Sequence, residues 1–124
     1  MEITNYILFV LMTVESGGNI NAVGDDGKAF GLYQIHAGYA ADAGFTNHDA
    51  AFNPIFAQEM VKNYMARYAT EERIGRPVTV EDICRIHNGG PNGYKRSSTD
   101  AYWAKCKKVI LDNNLQGKLL CKTQ

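Results

Sequence analysis

The most apolar stretch of the chain, residues 6–12, lies just before Glu15. Thr4 or Asn5 can cap a helix that starts here, and Gly17-Gly18 is a stop signal. The pattern predicts a helix from about Thr4 to Glu15. Because its residues are apolar nearly all round, we expect a buried central helix with Glu15 at its C-terminal end.

A secretory signal peptide is the alternative interpretation of this stretch. No Lys or Arg precedes it, and no small-x-small cleavage site follows before Glu15. It is also too short to span a bilayer, which takes about 20 apolar residues. We therefore favour the buried helix and expect that an export signal is not present in this chain.

The length and the net charge of the chain limit how many domains it can form and which partners it can attract. At 124 residues the chain can bury one core, and we expect a single domain over residues 1–124. Thirteen basic and thirteen acidic side chains give a formal net charge of zero. This balance provides no general attraction to nucleic acid or to an anionic membrane. We expect neither as a partner, and we expect a monomer.

Turn-forming residues follow the predicted helix. Residues 19–27 are rich in Asn, Gly and Asp, a composition typical of loops and turns. Residues 23–27, followed by residues 28–35, predict a short β-hairpin, within a total of two or three short strands. Tyr33, Gln34 and His36 alternate with apolar neighbours. Such a strand either lines a sugar-binding groove or has a solvated face.

Most of the remaining sequence is predicted to be helical. Tyr39 to Ala43 predicts a turn or two of helix. Asn53-Pro54 is typical of a helix start, with Asn as the cap, and Thr79-x-x-Asp82 is a near capping box for a helix that ends at Asn88-Gly89.

A last helix is predicted to start after Ser98 or Thr99. The apolar faces of the two long helices recur at helical spacing and are expected in the core. They comprise Phe56, Met60, Val61, Tyr64, Met65 and Tyr68 on one helix, and Trp103, Cys106, Val109 and Ile110 on the other. The sum is an α+β fold, mostly α, with a small hairpin beside one end of a buried helix.

The chain has three cysteines (Cys84, Cys106, Cys121) and three histidines (His36, His48, His87). An odd number of cysteines allows at most one disulfide and leaves one thiol. Neither set has metal-binding spacing. We expect buried free thiols, and neither a metal nor any other cofactor.

Glu15 is the strongest candidate for catalytic chemistry. The negative end of a helix dipole and poorly hydrated apolar surroundings would both raise the pKa of its carboxyl group. A carboxylic acid that stays protonated near neutral pH can protonate a leaving-group oxygen, as a glycosidase requires. The alternative is an ordinary exposed glutamate at a helix end.

Asp25 and Asp26 are the candidates for a second carboxylate. A retaining glycosidase holds its carboxyl groups about 5–5.5 Å apart, and an inverting one about 6.5–9.5 Å apart. A hairpin beside the helix end can deliver either separation. Asp-Asp-Gly is also an ordinary turn sequence, so we expect one of the two to serve only the turn.

A glycine-rich turn, residues 88–93, follows His87. No strand precedes it and it lacks a Gly-Lys-Ser/Thr ending, so it does not predict a phosphate-binding loop. His87 is either a helix C-cap partner or a cleft residue, and we favour the former.

Several of these motifs together resemble a known family. Residues 15–25 (Glu-Ser-Gly-Gly-Asn-x-Asn-Ala-Val-Gly-Asp) and residues 30–35 (Phe-Gly-Leu-Tyr-Gln-Ile) resemble the catalytic region of lysozyme-like muramidases and lytic transglycosylases. Residues 64–68, residues 85–93 and Tyr102-Trp103 narrow the resemblance to the invertebrate-type lysozymes, also called the destabilase family. It covers roughly residues 8–110.

The resemblance implies a lysozyme-like fold and hydrolysis of the β-1,4 bond between N-acetylmuramic acid and N-acetylglucosamine in bacterial peptidoglycan, with retention. Glu15 matches the family's general acid, and the nucleophile or charge stabiliser is Asp25 or Asp26. We prefer Asp25 because Val-Gly-Asp25 resembles the bacterial relatives. The substrate-binding residues implied are Tyr33, Gln34, His36, His87 and Asn88. A bacteriolytic, antimicrobial protein of this kind is secreted or delivered to the cell wall or a phagosome.

The chain departs from the family pattern at several positions. Animal members are rich in disulfides, whereas Val80 and Tyr94 stand where cysteines are expected. Because disulfides stabilise small secreted folds, this departure indicates a bacterial, phage or protist relative, or a reducing compartment. Ala29 replaces the serine that precedes the Gly-x-x-Gln-Ile strand, so we do not expect isopeptidase activity.

Two other functions compete with hydrolysis. A lytic transglycosylase cleaves the same bond without water and forms a 1,6-anhydro ring, commonly with one Glu and no second carboxylate; Asp25 and Asp26 therefore favour hydrolysis. A catalytically silent wall- or chitin-binding module is the other alternative, and the presence of Glu15 disfavours it.

Overall fold

The computed structural model describes residues 1–120, which are mostly helical. The α-helices of this part of the chain are α1 (Asn5–Ser16), α2 (Ala37–Asp42), α3 (Pro54–Tyr68), α4 (Glu71–Ile74), α5 (Val80–Gly89), α6 (Asp100–Asp112) and α7 (Gln116–Leu120). Short 3-10 helices span His48–Phe52, Gly93–Lys95 and Ser97–Thr99. Strands β1 (Val23–Gly24) and β2 (Ala29–Phe30) pair antiparallel. The expected α+β, mostly α class is confirmed.

Two compact units make up the chain. Among the described residues, the terminal unit comprises Met1–Leu11 and residues 68–120, and the hairpin unit comprises Met12–Arg67. The single domain expected over residues 1–124 stays a prediction. No helix in residues 1–120 combines the length and apolarity needed to cross a bilayer.

Helix α1 starts and ends close to the predicted residues. Thr4 Oγ1 accepts a hydrogen bond from the backbone N of Ile7 (3.3 Å), which makes Thr4 the cap. Tyr6 and Phe9, however, are 39% and 38% exposed. The helix is therefore buried along one face and not on every side, and its buried side chains follow that face. They are Ile7, Leu8, Val10 and Leu11.

The predicted hairpin forms, but its strands are shorter than expected. The backbone N of Lys28 donates to the carbonyl of Gly24 (3.1 Å) and closes the turn. The strand predicted over residues 28–35 ends at Phe30, because left-handed conformations at Gly31 (φ +78°) and Gln34 (φ +51°) turn the chain. Ile35 then returns to form an isolated antiparallel bridge with Phe30.

Gly31 is the position in this turn where a side chain is least tolerable. A Cβ there would overlap the carbonyl oxygen of Ala51, which belongs to the backbone and cannot rotate away. We expect Gly31→Ala to lower the free energy of unfolding by about 3 kcal/mol, from the clash together with the left-handed backbone. Gly27→Ala is the matched control, because Gly27 also has a positive φ (+85°) but open space around it. It should cost only about 1 kcal/mol, and equal losses in urea denaturation would contradict the close-contact argument.

Helix α3 begins as predicted at Asn53-Pro54. Asn53 Oδ1 accepts hydrogen bonds from the backbone N of Ile55 (2.9 Å) and of Phe56 (3.3 Å). Of the predicted core face, Met60, Val61, Tyr64 and Met65 are buried. Phe56 is 47% exposed, so its predicted place in the core is wrong. It lies in the first turn of the helix.

The predicted capping box opens α5 in the terminal unit. Thr79 Oγ1 accepts from the backbone N of Asp82 (3.2 Å), and Asp82 Oδ2 accepts from the backbone N of Thr79 (2.9 Å). Arg76 donates to both oxygens of the buried Asp82, at 2.7 and 2.9 Å. Burial alone would raise the pKa of Asp82, but these hydrogen bonds and the charge of Arg76 outweigh it and lower the pKa. The carboxylate is thus ionised in a buried position.

Two cysteines lie in the core of the terminal unit. Cys84 on α5 and Cys106 on α6 are buried and free, which confirms the expectation for this pair, whereas Cys121 lies outside the described residues. A hydrogen bond with Cys106, followed by burial, raises the pKa of the Cys84 thiol well above its ordinary value. This thiol therefore stays protonated and unreactive. Ile110 is buried beside them on the predicted face of α6, with Trp103 and Val109 half-buried.

Candidate active site

Glu15 lies in the last turn of α1 and is half-buried. Ser16, the next residue, connects this helix end to the turn after β2. Its Oγ donates a hydrogen bond to the carbonyl of Leu32 (2.8 Å). The same hydroxyl accepts from the backbone N of Gly18 (3.2 Å). Ser16 therefore acts as an anchor for the helix end, and this fixes the backbone on which Glu15 is carried.

A stacked pair of tyrosines lies near Glu15. The rings of Tyr39 on α2 and Tyr64 on α3 are 3.7 Å apart between centroids and nearly parallel, at 6°. Burial raises the pKa of Tyr39 well above its ordinary value, and the charges of Tyr64 and Glu15 raise it further. An electrostatic effect of this kind requires the Glu15 carboxylate to be close to Tyr39. The sequence carried no signal for this neighbour of Glu15, since the residues lie on separate helices.

The turn between β1 and β2 carries the two candidate aspartates. Asp25 and Asp26 both adopt left-handed conformations, with φ of 51° and 54°. Asp25 Oδ2 lies 3.1 Å from Nε2 of His36, so the structure brings two of the predicted site residues together. Within residues 1–120, the exposed side chain of Asp26 has no hydrogen bond or ion pair. Asp26 thus fits the role of a turn residue.

Gln34 and Tyr33 support the hairpin unit from inside. Gln34 Nε2 donates to the carbonyls of Ala22 (3.2 Å) and Gly31 (3.1 Å), so its amide holds the turn. Tyr33 is only 2% exposed. Burial raises the pKa of Tyr33, partly offset by a side-chain hydrogen bond with Gln58. Both side chains have structural partners, and the substrate-binding role predicted for them stays a prediction.

His48 also supports the hairpin unit, a role that the sequence did not predict. Its Nε2 lies 2.6 Å from the carbonyl oxygen of Ile35. Its ring stacks on Phe30 at 3.8 Å between centroids and 8° between planes. His48 therefore holds both partners of the Phe30–Ile35 bridge. In the sequence, His48 entered only as one of three histidines without metal-binding spacing, and no motif marked it as a packing residue.

His87 and Asn88 occupy the last turn of α5, in the terminal unit. His87 is buried and Asn88 is exposed. The backbone N of Gly90 donates to the carbonyl of Ile86 (2.9 Å) and closes the helix. Their predicted contact with substrate stays a prediction.

The hairpin unit thus carries two of the carboxyl groups predicted to be catalytic, and their catalytic role stays a prediction. It has one half-buried carboxyl group at a helix end, Glu15, and one exposed carboxyl group with a fixed partner, Asp25. Paired carboxyl groups are the usual machinery of glycoside hydrolysis. Across residues 1–120, no three His, Cys, Asp or Glu side chains cluster as they would around a metal ion.

Comparisons of the sequence and of the structure with known proteins agree with one another. The Destabilase family model matches residues 4–109. A lysozyme from Meretrix lusoria is 36% identical over 107 residues, which cover 82% of this chain and 86% of the relative. An invertebrate-type lysozyme from Ruditapes philippinarum is 37% identical over 108 residues, which cover 82% of this chain and 78% of the relative. The crystal structure of Tapes japonica lysozyme superposes with a TM-score of 0.73 at 34% identity, covering 86% of this chain and 89% of that one. The lysozyme-like fold expected from the sequence is confirmed.

Proposed function

The chain belongs to the destabilase family and is a lysozyme-type enzyme, and on that basis we propose that it hydrolyses the β-1,4 bond between N-acetylmuramic acid and N-acetylglucosamine. The substrate is bacterial peptidoglycan, and the products are reducing muropeptides. The observation that carries the proposal is Glu15, half-buried at the anchored end of α1 and in the same unit as Asp25.

Glu15 is the proposed general acid. It donates its proton to the glycosidic oxygen as the bond to the anomeric carbon breaks, so that the leaving sugar departs as a neutral alcohol. The resulting Glu15 carboxylate then accepts a proton from the attacking water in the second step. The hydrogen bond from Ser16 to Leu32 supports this role, because it fixes the position of the acid relative to the hairpin unit.

Asp25 is the proposed second carboxylate. It attacks the anomeric carbon, or stabilises the oxocarbenium-like transition state, on the face opposite the leaving group, and the two displacements together retain configuration. Its contact with His36 favours Asp25 over Asp26, since the Asp26 carboxylate has no partner within residues 1–120. Tyr33 and Gln34 are proposed as substrate-binding residues of the hairpin unit, and His87 and Asn88 as substrate-binding residues of the terminal unit.

The enzyme needs no cofactor in this mechanism, because both steps use protons and carboxylates of the chain itself. We propose that it acts as a monomer on walls reached by secretion or by delivery to a phagosome. The bacteriolytic and antimicrobial roles follow from the proposed reaction.

Product analysis of purified peptidoglycan tests this proposal. Wild-type enzyme is expected to release reducing muropeptides, identified by mass spectrometry after borohydride reduction. Asp25→Asn should lower turnover by about 10²-fold or more, since it removes the group that meets the developing positive charge. Asp26→Asn is the matched variant in the same turn, and it should retain near wild-type turnover.

Three results would change the proposal. Products of 1,6-anhydro type would identify a lytic transglycosylase, which closes the ring with the sugar's own hydroxyl group. Loss of turnover in Asp26→Asn, with full activity in Asp25→Asn, would transfer the second role to Asp26. Binding of peptidoglycan without any product would indicate a silent wall-binding module.

A further inference from the structure

The contact between His36 and Asp25 links two elements of the hairpin unit. His36 is the residue immediately before α2, and Asp25 lies in the turn between β1 and β2. Nε2 of His36 and Oδ2 of Asp25 are 3.1 Å apart. An imidazole that carries a hydrogen at Nε2, neutral or protonated, donates it to a carboxylate at this distance.

The backbones on both sides of the contact are held in place. Ile35, the neighbour of His36, is fully buried and bridges to Phe30. The carbonyl of His36 accepts from the backbone N of Ala40 (3.0 Å). On the other side, Lys28 N donates to the carbonyl of Asp25 (3.1 Å). The two side chains therefore meet because the fold brings them together.

Helix capping does not explain the side chain of His36. It occupies the N-cap position of α2 but makes no side-chain hydrogen bond to the helix. Stability does not explain the pair either. The side chains of His36 and Asp25 are 48% and 62% exposed, and an ion pair this exposed contributes little to the free energy of unfolding. What the contact does achieve is to restrict the orientation of one carboxylate.

We propose that His36 is a positioning residue that holds the Asp25 carboxylate in the orientation needed for attack on the anomeric carbon, an inference that rests on the proposed role of Asp25. A carboxylate anchored through one oxygen presents the other in a defined direction. The gain is in the geometry of the reacting groups and not in the affinity for the sugar. This role differs from the substrate binding predicted for His36 from the sequence.

Kinetics on soluble peptidoglycan fragments separate the two roles. His36→Ala is expected to lower kcat about tenfold with little change in KM. A wrongly oriented nucleophile raises the energy of the transition state but does not weaken substrate binding. His36→Lys is expected to restore most of the loss, since its ammonium can donate to the same carboxylate. Lys28→Ala is the matched control, which removes an exposed cation from the same turn and should leave kcat and KM unchanged.

Four outcomes of these experiments would each contradict the inference in a different way. A rise in KM at constant kcat in His36→Ala would overturn the inference and support a substrate contact. Equal losses in His36→Ala and Lys28→Ala would also overturn it, because the loss would then follow the removal of any nearby positive charge and not of the contact with Asp25. Full activity of Asp25→Asn would remove the proposed function of Asp25 together with this inference. An inactive Asp25→Asn beside an unaffected His36→Ala would overturn the inference alone.

Discussion

Glu15→Gln is expected to lower kcat on peptidoglycan by about 10²–10⁴-fold, the usual contribution of a general acid. Glutamine matches glutamate in size, so the helix end and the hydrogen bond from Ser16 to Leu32 are expected to survive. What is lost is the proton that the leaving oxygen needs. The measurement is the initial rate of reducing-end release, with circular dichroism to show that the variant is folded.

A second substrate tests whether the lower kcat of Glu15→Gln is caused by the loss of proton donation. An aryl glycoside of an N-acetylglucosamine oligomer has a phenolate leaving group that departs without protonation. On this substrate, Glu15→Gln should lose far less activity than on peptidoglycan, whereas Asp25→Asn should lose activity on both. Equal losses of Glu15→Gln on the two substrates would mean that Glu15 acts through structure and not as the acid.

Glu59→Gln is the matched control for this experiment. Glu59 is an exposed glutamate on α3 in the same hairpin unit, so the substitution makes the identical chemical change away from the proposed site. It should retain wild-type rates on both substrates. A comparable loss in Glu59→Gln would show that the assay responds to the net charge of the enzyme.

The second large effect is expected on stability, at Asp82. Asp82→Asn removes the negative charge that Arg76 and Thr79 surround, and leaves an amide group facing the guanidinium. Asp82 is only 2% exposed. We expect a loss of about 2–3 kcal/mol in the free energy of unfolding at neutral pH, as for charged hydrogen bonds in a buried setting.

The pH dependence of stability provides an independent check. The pKa of Asp82 is lowered in the folded protein, so the folded state binds this proton less tightly than the unfolded chain does. The stabilisation is fully present above the unfolded pKa of about 3.9, and it is lost as the pH falls through the lower folded value. Below about pH 4 the difference in stability between wild type and Asp82→Asn should therefore shrink.

Asp112→Asn is the control for this comparison. Asp112 also pairs with a cation, Lys108 at 2.7 Å, but the pair is exposed on the surface of α6. Such an i,i+4 pair contributes only about 0.3–0.5 kcal/mol. If Asp82→Asn proves no more costly than Asp112→Asn, the buried charge network is not a major source of stability.

Local signals in the sequence were sufficient to predict where the capped helices begin. Asn53 and Thr79 each act through atoms within three positions along the chain, so the start of α3 and of α5 could be predicted without knowledge of the fold. The motif around Glu15 and the short motifs in the second half of the chain were together sufficient to predict the family. These are cases in which a residue and its partners lie in the same short segment.

Other features depend on partners that are distant in the sequence. The alternation of residues 31–36 is typical of a strand, but the chain turns at Gly31 and Gln34, which both have a positive φ. Gly31 also lies against the backbone of Ala51, which is distant in the sequence. Likewise, His36 was predicted to face a groove, and its contact with Asp25 could not be foreseen from either residue's neighbours. The exposure of Phe9 and Phe56 has the same origin, since spacing defines a helix face but not what covers it.

The two buried, unbridged thiols of the terminal unit have a practical consequence for producing and handling this enzyme. Cys84 and Cys106 are enclosed and form no covalent link, so adding dithiothreitol has no bond between them to break. For this pair, maturation needs neither an oxidising folding compartment nor a disulfide isomerase. The region around α5 and α6 is therefore expected to assemble equally well in a bacterial cytoplasm and in an oxidising refolding buffer, with the same melting curve in either.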